Sequence, residues 1–284
     1  MLHPQIANVS ATRHILKKFN LRASKRLGQN FLIDAEVVRA IVNAAEISEG
    51  EDVLEIGPGI GTLTQGLLEA GAKVTAVELD KKLPAVLAET LEGYENFQLV
   101  QGDILKVDIS ELMPQKFKVV ANLPYYITTQ ILLTLLEKNL PITKIVTMVQ
   151  REVAERMISP PGSKSYGAMS VAVQFRAEPK IIFDVPPNAF LPRPEVTSSV
   201  VVCDVRKSPV EVSDEKFFVK VVRGAFNQRR KTLYNSLAGA GFLKEKIFKA
   251  FEAANIQAER RAETLSIEEF ARLADELKKV SAND

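Results

Sequence analysis

The chain has 284 residues, of which 46% are apolar and 25% charged, a composition that suits a globular protein, excludes bulk disorder and suggests about two domains. One cysteine, Cys203, excludes an internal disulfide framework and a cysteine-rich zinc site, and two histidines at positions 3 and 14 argue against a His-based metal centre or a Ser-His-Asp triad. The net charge of +2 hides an acidic middle: residues 1–33 carry six basic side chains and no acid, residues 34–150 carry 9 basic and 17 acidic, and residues 151–284 carry 22 basic and 18 acidic.

Basic flanks suggest a polyanion held by them; the plain alternative is a solvated surface. Residues 1–33 read as a basic N-terminal arm. Asn8, Arg13 and Lys17 interrupt it, so it does not resemble a secretory signal, and no apolar run is long enough to span a membrane. The expected compartment is the cytoplasm. Asp34 reads as an N-cap, with Val37, Val38, Ile41 and Val42 at helical spacing towards Ala45. Strand-like runs at 52–56, 73–77, 97–100, 118–121 and 145–149 then alternate with helical patterns at 62–69, 83–91, 131–138 and from about 152. This alternation predicts an α/β fold with a mostly parallel sheet, which places ligands at the carboxyl ends of its strands. A loop at 159–166 follows, then strand-like stretches at 172–175 and 199–205, separated by the Pro-rich 185–194. Beyond a linker at 207–210 the pattern is helical: 217–226, 230–237, 244–254 and 267–279. The expected division is an arm at 1–33, a sheet domain at 34–206 and a helical domain at 207–284.

Residues 55–64 read Glu-Ile-Gly-Pro-Gly-Ile-Gly-Thr-Leu-Thr, between a strand and a helix. Glycines at alternate positions let a backbone pass close to a ligand. The spacing is not the G-x-G-x-x-G of dinucleotide binders, and no Gly-Lys-Ser/Thr phosphate loop exists. Glu78 ends the next strand, where a carboxylate can accept from both hydroxyls of a ribose. Asp103 follows the strand after that, where a carboxylate can accept from an adenine amine. Taken singly, each feature has a bland alternative, a common βα turn or a helix cap. The ordered set points to an adenosine-containing ligand, with S-adenosylmethionine preferred over a dinucleotide or a nucleoside triphosphate.

Asn122-Leu-Pro-Tyr125 follows the fourth strand. It resembles the signature of methyltransferases that act on the exocyclic amines of nucleobases. An adenine amine is a poor nucleophile, so it needs placement. The Asn122 side-chain oxygen and the Leu123 carbonyl can each accept one of its protons, and Tyr125 can stack on the ring. The cofactor's sulfonium supplies the electrophile, so the chemistry calls for no metal. The alternative is that Asn122 caps a turn and that Pro124 and Tyr125 end a strand.

The similarity is wider. Gly28-Gln-Asn-Phe-Leu32, Glu55-Ile-Gly-Pro-Gly59, Asn122-Leu-Pro-Tyr-Tyr-Ile127, Phe190-Leu-Pro-Arg-Pro194 with Ser198-Ser-Val-Val201, and Phe226-Asn-Gln-Arg-Arg-Lys-Thr-Leu233 stand in order. Together, over about residues 20–275, the chain resembles the KsgA/RsmA family, the small-subunit rRNA adenine dimethyltransferases. The resemblance implies a Rossmann-like S-adenosylmethionine-dependent sheet domain with a small C-terminal all-helical domain. It implies dimethylation of two adjacent adenosines in a hairpin near the 3′ end of 16S rRNA, in the immature small ribosomal subunit. The sequence does not itself fix the oligomeric state; a monomer is expected. The resemblance also implies cofactor contacts from Asn30, Leu32, Gly57, Glu78, Asp103 and Asn122, and a target pocket of Asn122, Leu123, Tyr125 and Phe190. Arg223, Arg229, Arg230 and Lys231 are the expected RNA contacts, arginine being suited to phosphate; the alternative is that they solvate a helix. Two competitors remain: a related antibiotic-resistance methyltransferase of 23S rRNA, and an assembly factor that acts by occupying the immature subunit.

Overall fold

The computed structural model describes residues 4–138, 140–206, 208–228 and 230–282. The chain forms two compact units, Met1–Ala154 with Glu178–Val205, and Glu155–Ala177 with Arg206–Asp284.

In the first unit, α1 (Val9–Lys18) starts at an Asn8 cap, and a two-residue strand, β1 (Phe31–Leu32), follows. Helix α2 (Ala35–Ala45) begins where the Asp34 side chain accepts from the amides of Glu36 and Val37. Then come β2 (Asp52–Ile56), α3 (Thr62–Glu69), β3 (Lys73–Glu78), α4 (Leu83–Thr90), β4 (Phe97–Gln101), α5 (Ile109–Leu112), β5 (Phe117–Asn122), α6 (Thr128–Glu137) and β6 (Ile142–Gln150). Helix α7 (Arg151–Ile158) leads out of this unit and α8 (Ala168–Arg176) follows, before the chain returns as β7 (Ala177–Val185), β8 (Phe190–Leu191) and β9 (Ser198–Val205).

The main sheet has the order β4-β3-β2-β5-β6-β9-β7. Strands β2 to β6 pair in parallel, and β9 runs antiparallel to β6. The apolar runs expected as strands are buried along β2, β5 and β6, as in a sheet covered on both faces. The chain moves from β2 outward through β3 and β4, then returns to β5 on the other side of β2. The β2/β5 boundary is therefore the topological switch point, where open α/β sheets bind ligands.

The basic N-terminal arm contributes to the core of the first unit. Ile6, Ala7 and Ile15 are buried in the core of the first unit. The Gln65 side chain clamps its start: the Ile6 amide donates to Gln65 Oε1 at 2.9 Å, and Gln65 Nε2 donates to the Pro4 carbonyl at 3.1 Å. Arg13, Lys17 and Lys18 stay exposed on α1.

The second unit contains α8 with α9 (Glu215–Ala225), α10 (Leu233–Gly239), α11 (Lys244–Ala254) and α12 (Ile267–Ala282). The single boundary expected near residue 206 is replaced by two crossings. Residues 155–177 belong with the C-terminal helices because Tyr166, Val171 and Phe175 share their core. The Phe175 and Phe218 rings stack at 4.4 Å between centroids. The stretch 172–175, read as strand-like, is helical. Its apolar side chains are buried on several sides, so periodicity does not separate the two states. Local bonds choose the helix: the Gly167 amide donates to Ser170 Oγ at 3.1 Å, and Gln174 Nε2 donates to the carbonyls of Met157 and Ser159.

Candidate active site

Past Ile56 the backbone turns through Gly57, Gly59 and Gly61, with φ of 69°, 61° and 91°. L side chains rarely adopt such values, which is why the alternate glycines are needed. The turn has neighbours at van der Waals range. A Cβ on Gly57 would meet the Pro124 ring at 3.9 Å, and one on Gly59 would meet the Phe31 ring at 3.4 Å. Three separate motifs, at 28–32, 55–61 and 122–125, thus converge on one place.

Glu78 ends β3 beside this turn and is only 6% exposed. Its Oε1 accepts from the Asp80 amide at 2.7 Å and its Oε2 from the Gly59 amide at 3.4 Å. Burial pushes its pKa above the ordinary value, and those two amides pull partly back. Asp103 follows β4. Its Oδ1 accepts from the Leu105 amide at 3.1 Å, so it organises its own turn while lining the site. Asn122 ends β5, and its Nδ2 donates to the Asn30 carbonyl at 3.4 Å. That contact fixes which end of the Asn122 amide is the donor and leaves its oxygen as the acceptor.

The Pro124 carbonyl accepts from the Ile127 amide at 3.2 Å and from Thr128 Oγ1 at 2.9 Å, which closes the Asn-Leu-Pro-Tyr turn onto α6. Tyr125 is half-buried, and its hydroxyl is 2.6 Å from Ser198 Oγ of β9. Burial raises its pKa, so it stays a neutral phenol at ordinary pH.

One cavity gathers the expected residues: Asn30, Leu32, Gly57, Glu78, Asp103 and Asn122 line it, together with Leu123 and Tyr125. Phe190 is the exception. It is 1% exposed within the core of the first unit, its backbone paired with Leu32, and it does not line the cavity. A large apolar ring gains more by sealing the core than by standing in water. It therefore acts here as a plug behind β1.

Other lining residues were not singled out by the motifs. Glu55 is 1% exposed, and its Oε2 has no hydrogen-bond partner among the described residues. Burial pushes its carboxyl up to about 8, with the nearby Glu78 adding to the rise and Thr64 offsetting part of it. Its position inside the Glu-Ile-Gly-Pro-Gly motif was visible; its burial was not. Tyr126 also lines the cavity and is 53% exposed. Gln29 joins them, one residue before the expected Asn30.

In the second unit, Arg223 lies in the last turn of α9, and Arg230 and Lys231 are exposed in the turn before α10. Arg229 lies outside the described residues. Among the described residues no helix is long and apolar enough to cross a membrane.

The profile of the ribosomal RNA adenine dimethylase family matches residues 20–279. The chain is 47% identical over 278 residues to Ribosomal RNA small subunit methyltransferase A of Clostridioides difficile (strain 630), covering 95% of this chain and 96% of that protein. It is 48% identical over 280 residues to the protein of the same name from Moorella thermoacetica, covering 95% and 97%. Among solved structures, a dimethyladenosine transferase from Plasmodium falciparum shares the fold with a TM-score of 0.74 at 24% identity, over 88% of this chain and 98% of that one. The 23S rRNA methyltransferase ErmE aligns with a TM-score of 0.66 at 26% identity, over 88% and 100%. The chain belongs to the ribosomal RNA adenine dimethylase family.

Proposed function

We propose that this chain transfers methyl groups from S-adenosylmethionine to the exocyclic amines of two adjacent adenosines in a hairpin near the 3′ end of 16S rRNA, in the cytoplasm, as a monomer acting on the immature small subunit. The observation that carries the reading is the meeting of the Gly57 turn, the Glu78 carboxylate and the Asn122 amide in one cavity at the switch point. Relatives at 44% to 48% identity bear the small-subunit name, which favours 16S over 23S rRNA as the substrate.

The residues present fit the cofactor. A glycine cradle that any Cβ would begin to fill suits a close-lying thioether chain. Glu78 suits a ribose diol and Asp103 an adenine amine. The buried, unpartnered Glu55 oxygen is a carboxyl in search of a cationic or donor partner. Carboxylates rather than basic groups around the glycine turn disfavour a phosphate-bearing nucleotide. When bound, the cofactor supplies a methyl group made electrophilic by its sulfonium.

In this reading the chain's own residues do the positioning. The Asn122 side-chain oxygen and the Leu123 carbonyl accept the two amine protons. This draws the nitrogen lone pair out of conjugation and aims it. Tyr125, anchored through its hydroxyl to Ser198, stacks on the flipped purine with little rotamer freedom left to lose. Arg223, Arg229, Arg230 and Lys231 are the proposed backbone contacts, with the basic face of α1 a further source of positive charge. Phe190 supports the pocket from within the core.

The test is incubation with labelled S-adenosylmethionine and unmethylated small subunits, followed by nucleoside analysis and primer extension. Dimethyladenosine at two neighbouring 16S positions is expected. Label on 23S rRNA alone would overturn the substrate assignment, and no label on any rRNA would overturn the enzymatic reading. An Asn122→Ala chain that fully restores assembly in cells would shift the weight to occupancy of the subunit.

A further inference from the structure

Residues 22–30 bond mostly among themselves. The Leu27 and Gln29 amides both donate to the Ser24 carbonyl, and Asn30 Nδ2 donates to the Gly28 carbonyl. Among the described residues, two hydrogen bonds tie this segment to the rest of its unit. One is the 3.4 Å contact from Asn122 to the Asn30 carbonyl. The other is made by Gln29, whose Nε2 donates to Asp80 Oδ2 at 2.9 Å while its Oε1 accepts from the Ser24 amide at 2.8 Å. The second is shorter and ends on a carboxylate, so it is the stronger tether.

Asp80 is itself held on both sides. Its Oδ1 accepts from the Lys82 amide at 3.0 Å at the start of α4, and its own amide donates to Glu78 Oε1 at 2.7 Å. A continuous run of bonds thus joins Ser24, Gln29, Asp80 and Glu78. Its far end is the carboxylate assigned to the ribose, and its near end carries Leu27 to Leu32, all of which line the cavity.

We propose that Gln29 is a positioning residue for the cofactor: its bond to Asp80 clasps the 24–30 segment against the cavity and sets the rate at which the bound nucleoside leaves. The proposal rests on the cavity being the cofactor's seat. A ligand behind a closed segment leaves only when the segment opens, so the strength of the tether enters the opening equilibrium directly. Gln29 needs no contact with the reacting atoms to do this.

The polarity of the pair can be reversed. Gln29→Glu sets two carboxylates against each other and breaks the clasp. Adding Asp80→Asn restores it. The oxygen of the introduced amide can still accept from the Lys82 amide while its nitrogen donates to the carboxylate introduced at position 29, which keeps the bond from Ser24. The experiment measures dissociation of S-adenosylhomocysteine from the full chain by stopped flow. About tenfold faster release is expected for Gln29→Glu and for Gln29→Ala, the size of one lost hydrogen bond to a charged group. Release from the Gln29→Glu/Asp80→Asn chain should return to within about twofold of the starting value. The KM for S-adenosylmethionine should rise while kcat at saturation holds, and the melting temperature of the ligand-free chain should fall by only a few degrees.

Wild-type release in both single variants overturns the proposal. So does a loss that Asp80→Asn fails to rescue, or a fall in kcat with KM unchanged. Glu78→Ala separates this from the site assignment. If it binds S-adenosylhomocysteine normally, the seat is wrong; if it loses binding while the Gln29 variants release normally, only the clasp is wrong.

Discussion

Glu55→Gln removes a buried ionisable group while keeping its shape, and its effect on stability follows from where that carboxyl sits. In the folded chain burial pushes Glu55 from its ordinary 4.5 up to about 8. A group whose folded value is raised contributes stability that is fully present below the unfolded value and is lost as pH rises through the folded one. Below pH 4 both states are protonated, and the two chains should be about equally stable. Between pH 4.5 and 8 the unfolded chain releases the proton and the folded chain keeps it. At 1.36 kcal/mol per pH unit, the wild-type deficit relative to Glu55→Gln grows to about 3 kcal/mol at pH 7 and levels off near 5 kcal/mol above pH 8. The other titrating groups are common to both chains and largely cancel in the difference, apart from Glu78, whose charge is coupled to Glu55. Guanidinium unfolding of both at pH 4, 5.5, 7 and 9 reads it directly. The cofactor supplies a second arm. A cationic ligand in the cavity favours the ionised carboxyl, so binding at pH 7 should release a proton, seen by calorimetry in buffers of different ionisation enthalpy and absent in Glu55→Gln. A stability difference that stays flat from pH 4 to 9 would refute the reasoning.

Asn122→Ala removes one acceptor for the target amine. Methyl transfer should fall by about a hundredfold or more, well beyond the smaller loss of calorimetric affinity for S-adenosylhomocysteine that follows from Asn122 also lining the cofactor cavity, and near-normal turnover would refute the role. Tyr125→Phe deletes only the hydroxyl that meets Ser198 at 2.6 Å. It should cost about 1 kcal/mol in thermal unfolding and leave most activity, whereas Tyr125→Ala should lose activity far out of proportion to stability. RNA affinity should fall with salt at a log–log slope of about −0.7 per single-strand phosphate contacted, and Arg230→Ala with Lys231→Ala should flatten that slope by up to two contacts. Filter binding at several salt concentrations would show it, and an unchanged slope would remove those residues from the interface.

The parts of this fold that were legible beforehand are those where local chemistry and tertiary demand coincide. Asp34 caps α2 as its side chain predicts, and the buried runs of β2, β5 and β6 are rich in branched residues. The glycines at 57, 59 and 61 announce a backbone that only they tolerate. Elements decided by distant partners were not legible. Strand β7 contains Pro179, which normally argues against a strand, yet it lies at the sheet edge, where a missing donor costs little. Helix α8 has an apolar run that suits either periodicity, and side-chain bonds from Ser170 and Gln174 decide it. Phe190, expected in the target pocket from the family resemblance, is 1% exposed, and burial gives it to the core. Glu55 sits in plain view within a motif, but only its desolvation makes it chemically distinct.

The double passage of the chain between its two units has a practical outcome for anyone trimming the protein. A chain ended after Arg206 would keep Tyr166, Val171 and Phe175 but discard Phe218, Leu237 and Phe270, which complete their core. The segment left behind would be a sticky apolar flap grafted onto an otherwise finished catalytic half. Shortened forms should therefore precipitate unless 155–177 is replaced by a polar bridge at the same time.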